Sequence, residues 1–186
     1  MEQNKQPKQD MPILRAMEQY LSRSVYPLHT PGHKGGRSIA PDFAKLLGSR
    51  ALAIDVSLMG EELGNLHLPS GCIQASQELA AELYGAARTY FCVNGSSGAL
   101  QAMLLGALEP GDTLIAARNM HCSAMTALIL AEIQTVFINN PLIAEFGIAG
   151  QITPQQVRAA LQAHPKAKAV FITSPTYHGI VADVAG

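Results

Sequence analysis

The strongest constraint on this chain lies between Arg88 and Leu104. It reads Arg-Thr-Tyr-Phe-Cys-Val, then Asn94-Gly-Ser-Ser-Gly-Ala, then Leu-Gln-Ala-Met-Leu. The first part is aromatic, β-branched and apolar, which predicts a buried strand over residues 89–93. The last part places Ala99, Leu100, Met103 and Leu104 at helical spacing. A strand that turns through small residues into a helix aims free N–H groups and the positive end of the helix dipole at one spot, which suits a phosphate. Gly95 and Gly98 would let the backbone approach such an anion, and Ser96 and Ser97 would add hydroxyl donors. The turn lacks the third glycine of a dinucleotide fingerprint and the lysine of a P-loop. A second reading stays open here, that of a Ser/Gly start to an ordinary helix.

Around this turn the pattern alternates. Helices are predicted over residues 11–24, 41–47, 73–84, 95–108, 123–132 and 153–164. Gly85 stops the third, and Thr153 with Pro154 opens the last. Strands are predicted over residues 52–56, 89–93, 113–117, 135–138 and 169–173. Four strands alternating with three helices from residue 89 onward argue for an α/β fold with a parallel sheet and flanking helices. Ligands of such sheets bind at the carboxyl ends of the strands. Three polar segments fall there, at residues 94–99, 118–123 and 174–179, carrying His121, Thr176, Tyr177 and His178. A histidine before a helix can equally be a capping residue, and the 174–179 segment a plain turn.

With 186 residues, the chain is long enough to bury a core. A net charge of −1 gives no reason to expect nucleic acid or an anionic membrane as partner. No apolar run reaches the length of a membrane span, and the polar start has no signal-peptide core. Cys72, Cys92 and Cys122 lack metal-ligand spacing, so no metal is expected and a reducing cytoplasm is the expected compartment. Residues 1–10 are polar enough to be disordered, and residues 57–71 form a long irregular loop. His29-Thr-Pro-Gly-His-Lys-Gly-Gly-Arg37 reads as a binding loop or as a solvated connector.

Five segments taken together are more specific than any one of them. They are His29-Thr-Pro-Gly-His-Lys-Gly-Gly, Leu66-His-Leu-Pro-Ser-Gly, Asn94-Gly-Ser-Ser-Gly-Ala, Arg118-Asn-Met-His-Cys-Ser and Ser174-Pro-Thr-Tyr-His-Gly. In this order they resemble the Orn/Lys/Arg decarboxylase family, from about residue 13 onward. The resemblance implies the aspartate-aminotransferase type of fold (fold type I), pyridoxal 5′-phosphate (PLP) as cofactor and decarboxylation of arginine, lysine or ornithine. It implies an N-terminal arm with loops over residues 1–68 and the first part of the PLP-binding large domain over residues 69–186. It also implies a homo-oligomer, a dimer or higher.

By the same resemblance, Gly95, Ser96, Ser97 and Gly98 cradle the phosphate and His121 stacks on the pyridine ring. Thr176 lies near the cofactor's O3′ side or the substrate, and His33, Lys34 and His67 lie near the substrate entrance. The chain departs from the family pattern at Cys122, where lysine is usual. It departs again at Gly64-Asn65, where an acidic pair is common, and at His178, where an aromatic often stands. The family's Schiff-base lysine and its ring-partner aspartate belong to Ser-x-His-Lys and Asp-x-Ala-His patterns, and neither occurs here. The chain therefore resembles the N-terminal portion of the short form, expected to be inactive alone and open to a complementary C-terminal chain. A non-catalytic remnant, half of a split enzyme, or an aminotransferase of the same fold are the alternatives. In this type of sheet the strand at residues 89–93 reaches the next three only through later strands. It is therefore expected to lack a neighbour here, leaving the isolated chain aggregation-prone or molten.

Overall fold

The computed structural model describes residues 10–23, 25–57 and 63–186. The readings made above for residues 1–9 and 58–62 lie outside the described residues. The chain divides into two compact units, Met1–Phe91 and Cys92–Gly186.

The first unit is helical: α1 (Pro12–Ser22), α2 (Pro41–Leu47), α3 (Ser49–Ile54) and α4 (Gly71–Tyr84). Proline opens α1 and α2, where its missing N–H has no intrahelical use. Gly85 ends α4 in the left-handed conformation (φ 63°), its N–H donating to Glu82 O at 3.2 Å. Helix α1 packs on α4, which buries Ile73, Gln77 and Ala81. Gly64 has φ 81°, and a Cβ there would sit 2.8 Å from Ser70 O, so the chain can pass that point only as glycine. The strand predicted over residues 52–56 is instead the end of α3, up to Ile54, with residues 55–56 in neither helix nor strand. A four-residue Ala-Leu-Ala-Ile run satisfies a buried helix as well as a strand.

The second unit carries the sheet. It runs α5 (Gly95–Ala107), β1 (Thr113–Ala117), α6 (Cys122–Leu130), β2 (Gln134–Ile138), β3 (Leu142–Ile143), β4 (Ile148–Ala149), α7 (Pro154–Ala163) and β5 (Ala169–Phe171). Strands β2, β1 and β5 form a parallel sheet in that order, with Ile115 opposite Val136 on one side and Val170 on the other. Strands β3 and β4 make a small antiparallel hairpin that the sequence pattern did not signal.

Alternation along β1 builds two cores. Leu114 and Ala116 pack with Leu104 and Leu108 of the α5 end and with Ala124, Ala127 and Leu128 of α6. Ile115 and Ala117 face the other way, onto Ile138 and Ile152, with Val157 and Ala160 of α7 packed against them. Helices therefore cover both faces, and β1 is buried from Leu114 to Ala117. Helix α7 begins with a capping box. The Thr153 hydroxyl accepts from Gln156 N at 3.3 Å, and Gln156 Oε1 accepts from Thr153 N at 2.9 Å. Replacing Thr153 by alanine is expected to cost about 1 kcal/mol in a denaturant titration; no loss would show that the box does not hold α7.

Residues 89–93 are not a strand. They join no sheet and make no hydrogen bond with any described residue. Tyr90 and Val93 are 72% and 76% exposed. Among the described residues no strand pairs with this segment, and β propensity alone does not make a ladder.

Candidate functional site

Topology gathers three segments at one edge of the sheet. Helix α5 leads into the start of β1, so its own first turn points to the carboxyl edge. Helix α6 starts where β1 ends, and the turn after β5 leaves from the same edge. This is where open α/β sheets hold their ligands.

The first turn of α5 is uncapped. Asn94 occupies the cap position without a side-chain hydrogen bond. The N–H groups of Gly95, Ser96 and Ser97, and both serine hydroxyls, have no hydrogen-bond partner among the described residues. Gly95 takes φ 68° with open space where a Cβ would stand. At Gly98 a Cβ would meet Asn94 Cβ at 2.7 Å and Cys92 Sγ at 3.2 Å, so only glycine lets the turn close this tightly. Free N–H donors, two free hydroxyls and the positive end of a thirteen-residue helix make a donor set of the kind that binds a phosphate.

His121 is the N-cap of α6. Its Nδ1 accepts from Ser123 N at 3.1 Å and lies 2.7 Å from Ser123 Oγ. This cap fixes the ring while leaving the residue exposed. Cys122 Sγ lies 3.8 Å from Nδ1 and 3.9 Å from Nε2, beside the ring where the family pattern has a lysine.

Thr176 is buried, and its hydroxyl oxygen accepts from Ile180 N at 3.2 Å. Gln151, which the sequence reading passed over, donates from Nε2 to Thr173 O at 2.7 Å and to Ile180 O at 3.0 Å. It ties together the two limbs of the Thr176 turn. A glutamine two residues before a helix cap carries no sequence signal for such a role. Tyr177 is almost wholly exposed, edge-on to His178.

His33, Lys34 and His67 belong to the first unit. His33 Nδ1 accepts from Gly36 N at 3.3 Å and its Nε2 donates to Asp55 Oδ2 at 3.1 Å, closing the loop onto the residue after α3. Lys34 Nζ donates to His29 O at 2.5 Å. His67 is exposed, its N–H donating to Asn65 Oδ1 at 2.8 Å.

Parallel strands covered by helices on both faces, with an uncapped helix start at the carboxyl edge, define an α/β domain with one candidate ligand edge. Residues 11–186 match the family model "Orn/Lys/Arg decarboxylase, major domain", and the chain belongs to that family. It is 39% identical over 175 residues to an arginine decarboxylase of Bacillus subtilis, covering 94% of this chain and 36% of that protein. It is also 39% identical over 173 residues to an arginine decarboxylase of Halalkalibacterium halodurans, covering 93% of this chain and 35% of that protein. Among solved structures it is similar to the constitutive lysine decarboxylase of E. coli, with a TM-score of 0.75 and 28% identity, covering 90% of this chain and 25% of that one. The chain thus spans roughly a third of the length of these curated relatives.

Proposed function

We propose that this chain supplies the cofactor-holding part of a PLP-dependent decarboxylase of a basic amino acid. The observation that carries the reading is the uncapped start of α5, with free N–H groups and free serine hydroxyls, in a member of this family. When bound, PLP supplies the electron sink that lets the carboxylate leave as CO2.

The residues present fit the cofactor. Ser96 and Ser97 would donate O–H to the phosphate oxygens, and the amides after Gly95 would add N–H donors. His121, its ring fixed by the Ser123 N–H, would cover one face of the pyridine, limiting tilt and excluding water. Thr176 uses its oxygen as an acceptor for Ile180 N, which leaves its O–H free to donate toward the cofactor's O3′ side or the substrate. His33, Lys34 and His67 would border the substrate's approach, in part across a dimer. Among the described lysines, Lys34 is tied to His29 O, and Lys45, Lys166 and Lys168 are exposed. None is set in a buried site, so the Schiff-base lysine would come from another segment of the protein or from a complementary chain. That arrangement also favours the reading of this chain as inactive alone.

The test is decarboxylation by the protein expressed with its flanking coding sequence. CO2 release from arginine, lysine or ornithine is expected; keto-acid formation without CO2 would make it an aminotransferase instead. In that protein His121→Ala should weaken PLP binding by about three- to tenfold, the worth of one ring–ring contact. His164→Ala, at the C-terminal end of α7, should change it by less than about twofold. Equal losses would remove His121 from the site.

A further inference from the structure

The turn that carries Thr176 is closed mostly by its own groups. Thr176 N donates to Ile180 O at 2.9 Å, Ile180 N donates to the Thr176 hydroxyl oxygen at 3.2 Å, and Ala182 N donates to Ser174 Oγ at 3.0 Å. Among the described residues, Gln151 alone sends a side-chain hydrogen bond into this turn from outside it. Its Nε2 spans the mouth of the turn, with Thr173 O at 2.7 Å and Ile180 O at 3.0 Å. An amide nitrogen carries two N–H groups, so both bonds form at once.

Both partners are carbonyl oxygens, which only accept, so the nitrogen must face them and the amide cannot be turned over. Its Oε1 is consequently buried with no partner among the described residues. An unpaired buried acceptor is unfavourable, so what this amide contributes lies in its two N–H groups. The residue is anchored on both sides. Gly150 O accepts from Asn140 Nδ2 at 2.9 Å, and Gly150 N donates to Pro141 O at 2.7 Å. Ile152 is buried with Ile115, Ala117 and Ile138. Gln151 therefore ties the Thr176 turn to the core beside β1. Ile180 is the shared node: its oxygen receives Gln151, and its N–H holds the Thr176 hydroxyl oxygen. The place of Ile180 N limits where the hydroxyl hydrogen can point.

We propose that Gln151 is a positioning residue of the ligand site: it fixes the Thr176 turn and so aims the Thr176 O–H at the bound cofactor. The inference deepens the PLP reading and rests on it.

The test uses the protein expressed with its flanking coding sequence. In the unmodified protein, the Gln151 side-chain N–H signals should exchange at least about tenfold more slowly than those of Gln134, which is exposed. Equal rates would overturn the proposal whether or not any variant folds. PLP affinity is then compared across a cycle of Gln151→Met, Thr176→Val and the two together. Methionine keeps the length of the side chain and removes both donors. Each single change should weaken PLP binding about two- to tenfold, the worth of one hydrogen bond. The double variant should bind no more weakly than Thr176→Val alone, which a merely structural loss at Gln151 would not produce. Losses that add, or an unchanged affinity in either single variant, would overturn the role of Gln151 while PLP binding by the unmodified protein still stood. No PLP binding by the unmodified protein would remove the cofactor reading itself, and this inference with it.

Discussion

The backbone amides of Ile115 and Ala116 are expected to exchange with deuterium at least about a thousandfold more slowly than those of residues 89–93. Strand β1 is bonded along both edges, to β2 and to β5, and both residues are fully buried. Their amides can open only with the sheet, so their protection approaches the stability of the unit. A domain holds about 5–15 kcal/mol, and the low end of that range already gives more than three decades. Residues 89–93 have no hydrogen-bond partner among the described residues, so nothing there must break before exchange. Tyr90 and Val93 add exposed apolar surface to the same unpaired backbone, the combination that promotes edge-to-edge association. Slow, cooperative exchange at residues 90–93 in a monomer would show instead that this segment has found a partner.

The second large effect is expected from Ile115→Ala, a loss of about 2–5 kcal/mol measured by chemical denaturation. The side chain sits at the midpoint of the central strand, within the cluster that joins Ile138, Ile152 and the inner face of α7. Neighbours bonded into the sheet on either side cannot close over the space it leaves. Ile129→Ala on α6 is the control: that side chain is 71% exposed and should change stability by no more than about 0.5 kcal/mol. Similar losses at both positions would mean that the sheet interior is not the cooperative core.

What could be read from the residues, and what could not, follows the range of the forces involved. Strand β1 lies on the predicted residues 113–117, and α7 starts at Thr153-Pro154, because periodicity and capping are written locally. Gly85 was legible as a stop for the same reason. Residues 89–93 have the composition of a strand, but a strand exists only when another one lies beside it, and that is a tertiary fact. The run at 51–54 is too short for its period to separate helix from strand. The β3–β4 hairpin, with two residues per strand, is below what alternation can show. At the site, the turn at residues 94–98 and His121 stood out because glycines, hydroxyls and a ring before a helix are unusual together. Gln151 did not, because its role arises only when Thr173 and Ile180 are brought to it.

The empty cap of α5 has a thermodynamic side. A filled cap contributes about 1 kcal/mol to a helix, and Asn94 withholds it although its side chain could supply it. If the cradle takes a phosphate as proposed, the anion becomes the cap, and the helix is completed only when ligand is present. Stability and occupancy are then linked: each tenfold rise of ligand above its dissociation constant adds about 1.4 kcal/mol to the folded state. A side chain that capped α5 permanently would steady the free protein and compete with the ligand for the same N–H groups. On that reading the bare helix start would make the protein's own melting temperature a gauge of how much anion it holds.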